Sequence, residues 1–116
     1  MKNQMEIVFT DRRQVRKGSP YRVCRLRLAG RGWPDLDRGR YQDIQAWSDD
    51  RSRLALAQWK PLGQAPGFVV VVADRVRNGV YRSMRMRGCC QSIRFLGKGQ
   101  VVALSSTGVI HSFVVP

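Results

Sequence analysis

The residues best suited to nucleophilic or metal chemistry are one histidine and three cysteines. His111 stands between Ile110 and Ser112 in a stretch that reads as strand, and it is the only imidazole available as base or ligand. Cys24 is far along the chain from Cys89 and Cys90, and neighbours on a strand point to opposite faces, so these two cannot readily hold one ion together. The set supplies zinc-type ligands without zinc-type spacing, and the plainer reading is three ordinary buried or half-buried thiols. Glu6 is the only glutamate and sits near the N-terminus. Asp35 and Asp37, Asp43, and the pair Asp49-Asp50 fall in expected turns, where aspartate serves backbone geometry. Gly97-Lys98-Gly99 lacks the following helix and the Ser or Thr of a phosphate-binding loop. The expectation is a non-enzymatic chain with no catalytic residue, metal or cofactor.

Arginine is the other chemically loaded side chain. Lysine plus arginine number 21 against 8 acids, a net charge of +13, with a pI near 11.2. Lysine appears only at Lys2, Lys17, Lys60 and Lys98; every other basic residue is arginine. The guanidinium fork suits phosphate and carboxylate, and a strong positive charge draws polyanions. Arginine-rich codon usage coating a solvated surface explains the same bias. Strand alternation turns Arg25, Arg27, Arg85, Arg87 and Arg94 outward, with Tyr21 or Tyr81 near for stacking, and these are the candidate phosphate or nucleic-acid contacts. No strand is as aromatic-rich as those of RNA-recognition motifs, so the signal is electrostatic.

Period-two alternation dominates the elements that must position these groups. Strands are expected at Met5–Thr10, Tyr21–Ala29, Arg53–Trp59, Phe68–Ala73, Val80–Arg87, Cys90–Leu96, Gln100–Ser105 and Val109–Val115. Asp11–Pro20 and Gly30–Arg40 read as loops, and Asp35–Trp47 is the only helical rival, opposed by Gly39. Phe68–Ala73 is an unbroken run of β-formers, as in a central strand covered on both faces. Asn78-Gly79 predicts a two-residue hairpin turn, followed by a strand with Met84 and Met86 inward. The expected core includes Leu54, Leu56, Val69, Val71, Ile93 and Phe95. The fold class is all-β in one domain over residues 1–116, an antiparallel meander or a small sandwich or barrel.

A weak repeat lies at an offset of 48 residues, a spacing read from the sequence itself. Trp47 meets Phe95, and Leu54-Ala55-Leu56 meets Val102-Ala103-Leu104. The turn Ser48-Asp49-Asp50-Arg51 meets Leu96-Gly97-Lys98-Gly99, and Gly67-Phe68-Val69 later matches Gly108-Val109-Ile110. The order resembles the blades of β-propellers of the WD-repeat kind, each a four-stranded meander of about 40–45 residues. It departs from them at Ala73, where a tryptophan is expected, and no Gly-His pair precedes either unit. Two such units cannot close a ring, so the resemblance implies open strand edges or cover from the N-terminal strands.

Three expectations follow. The chain is a non-enzymatic protein-interaction module that self-associates as a dimer, with Val109, Ile110, Phe113 and Val115 as the candidate edge. The rival is a nucleic-acid binder acting through the outward arginines. The longest apolar stretch, Phe68–Ala73, is too short for a membrane span or a signal-peptide core, which predicts a cytoplasmic protein.

Overall fold

A computed structural model describes residues 6–30, 32–36 and 38–116, and Met5 and Asp37, placed above in a strand and a turn, lie outside these. The described residues are all-β, without helix, and form two antiparallel meanders. The larger sheet runs β1 (Glu6–Gln14), β2 (Arg22–Ala29), β3 (Tyr41–Trp47), β4 (Arg53–Trp59), β5 (Gly67–Asp74) and β6 (Gly79–Arg82), with β7 (Met86–Arg87) also on β5. The smaller sheet is β8 (Cys90–Phe95), β9 (Gln100–Ser105) and β10 (Ile110–Val114), in the order β10-β9-β8.

β4 and β5 pair over their full length and are covered on both faces. One face carries Ala55, Ala57, Phe68, Val70 and Val72, which pack on Ile93, Val101 and Ala103 of the smaller sheet. The other carries Leu54, Leu56, Val69 and Val71 beneath Ile7, Phe9, Leu26 and Leu28 of the β1–β2 ribbon, together with Trp33 and Leu36. The ribbon reaches this face because β2 meets β3 at a single register, Cys24 opposite Tyr41, which frees it to fold across. The result is three layers, and it explains why β5 reads as unbroken apolar sequence.

Several local expectations are corrected. Within Asp35–Trp47, where Gly39 opposes a helix, Tyr41–Trp47 is strand β3, so Asp43 lies in a strand rather than in the expected turn; Gln42 leaves its ladder at an irregularity between Tyr41 and Gln45. The first strand extends to Gln14 through a bulge between Thr10 and Arg13, where Asp11 takes φ +52°. Residues 11–14 are exposed on both faces, so their sequence is polar although Arg13 and Gln14 pair with Val23 and Arg22. Asn78-Gly79 is not a two-residue turn: Asp74 pairs with Gly79, and residues 75–78 bridge them with Asn78 at φ +51°. The expected Val80–Arg87 strand breaks into β6 and β7 around Ser83, whose N–H and Oγ satisfy Val70 O (2.9 Å) and N (2.8 Å). The register slips by one residue there, and Met84 is left 87% exposed while Met86 is buried.

The two sheets meet where β3 approaches β8. The buried Gln42 side chain donates from Nε2 to Cys90 O at 2.9 Å and accepts from Cys90 N at 2.7 Å. It thereby acts as one rung of a ladder that the backbones do not make.

Candidate functional site

The groups suited to covalent or metal chemistry are dispersed. Cys24 lies on the inner face of the ribbon, its thiol donating to Tyr41 O at 3.1 Å, whereas Cys90 lies on the far side of β4 and β5. Burial pushes the Cys24 thiol up to about 11 and the Cys90 thiol up to about 12, and it raises Cys89 as well. Such thiols stay protonated and weakly nucleophilic near neutral pH. His111, half-buried on β10, pairs in register with Ala103. Among the described residues, no three His, Cys, Asp or Glu side chains stand close enough to share a metal.

Two of the carboxylates organise turns, whereas Asp43 lies in β3 at 3.9 Å from Arg12 Nε. Asp50 accepts from Ser52 Oγ at 2.7 Å, Ser48 Oγ at 2.9 Å and Ser52 N at 3.0 Å, and these bonds hold its pKa at about 2. Asp74, 2% exposed, accepts from Arg53 Nε at 2.8 Å and Arg77 N at 3.0 Å. Burial pushes its pKa up, but the bonds from Arg77 and Arg53 outweigh that and leave it below the usual carboxylate range. Arg53 also donates to Val115 O at 3.3 Å and Pro116 O at 2.6 Å, tying the end of the smaller sheet to the larger. The two turns of the sequence repeat, 48–51 and 96–99, line one recess of about 500 Å³ with Asp74 and Arg53 in its wall.

The five outward arginines do not form one field. Arg85 is a brace: it donates from Nε to Lys60 O at 2.7 Å and from Nη2 to Pro66 O at 3.3 Å, holding the loop between β4 and β5. Gly67 permits this, since a Cβ there would lie 2.2 Å from Arg85 Nη2. Arg94 is exposed on the smaller sheet opposite Val102, and Arg87 is exposed on β7. Only Arg25 and Arg27 stand together, on the solvent face of the ribbon across from Thr10 and Val8.

The candidate edge divides in a similar way. Among the described residues, β10 pairs only with β9. Phe113 packs against the core and Val115 is buried, its N–H bonded to Gly99 O at 2.8 Å. Ser105 N bonds Val109 O at 2.9 Å, and with the Val115–Gly99 bond this sets the phase of the strand. His111 and Phe113 turn their backbone groups to β9, while Ile110, Ser112 and Val114 turn theirs to the open side. Ile110 is 68% exposed and Val114 67%.

Compared with known proteins, the chain matches no family model, no curated sequence and no solved structure. Its site has to be read from its own geometry. Two features of that geometry escaped the sequence. Ser112 and Val114 carry the open edge as much as Ile110 does, which follows only from hydrogen-bond phase. Arg38 and Arg40 sit in what reads as an undistinguished loop, although their spacing around Gly39 was visible.

Proposed function

We propose that this chain is a non-enzymatic interaction module that pairs strands along β10, and that its first partner is a second copy of itself. The observation that supports this reading is the open side of β10, where Ile110, Ser112 and Val114 present N–H and C=O groups that no strand among the described residues pairs. Edge strands normally carry a lysine, a proline or a bulge that discourages such pairing. Ile-His-Ser-Phe-Val has none of these. Two copies joined antiparallel across a two-fold axis turn two three-stranded sheets into one of six strands. β10 also lacks any Lys or Arg, so this contact keeps the repelling arginines of a +13 chain away from one another.

Sedimentation equilibrium at moderate salt tests the reading, with a dimer expected. Ser112→Pro removes an N–H that the β9 ladder does not use, so it should give a folded monomer. Val114→Lys should do the same by placing charge at the seam. A wild-type protein that stays a folded monomer of 13.2 kDa overturns the proposal.

A further inference from the structure

A recess of about 540 Å³ opens between the β1–β2 ribbon and residues 38–40, and its wall holds four arginines, Arg25, Arg27, Arg38 and Arg40. They arrive as two pairs. Arg25 and Arg27 are two apart on β2, which sets them about 6.6 Å apart along one face. Arg38 and Arg40 flank Gly39, whose α-carbon is pressed so closely on buried Gln58 that a Cβ would lie 2.6 Å from Nε2. Trp59 N fixes the same segment by donating to Arg40 O at 2.7 Å. All four arginines are exposed. Among the described residues, Asp11 is the only acid in this wall, and it pairs with Arg25 at 3.5 Å, an exposed contact of little strength. Among the described residues, no carboxylate pairs with Arg27, Arg38 or Arg40.

A second recess of about 240 Å³ adjoins the first and shares Leu26 and Arg38 with it. Its wall mixes the apolar Leu28, Pro34 and Leu36 with one acid, Asp35, and includes Trp33, whose buried Nε1–H has no acceptor among the described residues. A buried donor without a partner costs free energy that a ligand acceptor would return. Four guanidiniums in two spaced pairs call for a repeated anion, and the adjoining recess calls for a flat group with a hydrogen-bond acceptor.

We infer that the two recesses together bind single-stranded nucleic acid, with successive phosphates on the arginine pairs and one unstacked base against Trp33. Single strands offer both features at once, because their bases are free to leave the stack. A duplex offers only its phosphates.

Fluorescence anisotropy with short labelled oligothymidine, read across a salt series, tests this. Four phosphate contacts give a slope of about −2.8 in log affinity against log salt. Arg38→Ala with Arg40→Ala should halve that slope and weaken binding about tenfold near 0.15 M salt. Arg87→Ala with Arg94→Ala removes the same charge outside the recess and should leave the slope nearly unchanged. Trp33→Phe should weaken binding without altering the slope, since the interaction it removes is not ionic. Equal losses from the two arginine pairs, equal affinity for a duplex of the same length, or no binding near physiological salt would each overturn the inference. Should Trp33→Phe fail to fold, the two arginine pairs still decide, because their side chains are exposed and contribute little to the core.

Discussion

Asp50 and Asp74 show how a side chain that looks available for acid–base work is committed to architecture. Asp50 gathers two serine hydroxyls and one amide, and Asp74 holds Arg53 and the start of the β5–β6 connection. Both carboxyls titrate below the ordinary value of 3.8, Asp50 at about 2. A carboxyl with a depressed native pKa binds its proton more readily when unfolded. Its stabilisation is therefore complete above about 3.8 and drains away as pH falls through the native value. Urea midpoints should be flat from neutral pH to about 4 and then fall steeply towards 2. Asp74→Asn should cost about 1–3 kcal/mol at neutral pH and make that acid slope shallower. A parallel acid slope in wild type and variant would show that Asp74 contributes nothing to it. The arginines teach the complementary lesson: Arg85 and Arg27 look alike in the alternating pattern, yet one clamps three carbonyls and the other is free of any carboxylate among the described residues.

At the scale of elements, the seam between β3 and β8 depends on one amide. Gln42 leaves the β3 ladder at its irregularity, and this directs the side chain to both backbone groups of Cys90. Gln42→Leu fills the same space but orphans a buried N–H and a buried C=O. The expected cost is about 2–4 kcal/mol by chemical denaturation, with Gln42→Glu milder at acidic pH, where the protonated acid accepts from Cys90 N and donates to Cys90 O, than at neutral pH, where ionisation would bury an unpaired charge. A loss below about 0.5 kcal/mol for Gln42→Leu would mean that the sheets join without it. Elements with regular alternation, such as β9, were readable from sequence, and so was β5 from its unbroken β-formers. β3 was not, because it is covered on both faces, with Tyr41 and Trp47 in one layer and Ile44 and Ala46 in the other, and it buries the polar Gln42, so no alternation of polar and apolar residues marks it. The repeat shows the same limit. Trp47 pairs with Leu54, but Phe95 pairs with Val101, one residue earlier than the offset requires. The two aromatics consequently serve opposite layers, while Ala55 and Ala103 remain in the same one.

The whole molecule carries +13, and among the described residues only three Arg–Asp pairs offset it. Self-repulsion of this kind opposes the compact state and weakens as the Debye length shortens to about 8 Å near 0.15 M salt. Raising sodium chloride from about 0.02 M to about 0.3 M should therefore raise the melting temperature by a few degrees. A melting temperature that falls over this range would show that attractive pairs outweigh the repulsion.

The sequence by itself determined the fold class and the core members Leu54, Leu56, Val69, Val71 and Ile93. These properties depend on residue type and local period, which a chain carries in order along its length. The tertiary structure alone decided that the ribbon folds over β4 and β5, that Arg38 and Arg40 join Arg25 and Arg27, and which residues of β10 face open solvent. Each of these turns on a register, a bulge or the closure of a long loop. A shift of one residue there reverses a face, and the energies that choose between registers arise from contacts distant in sequence.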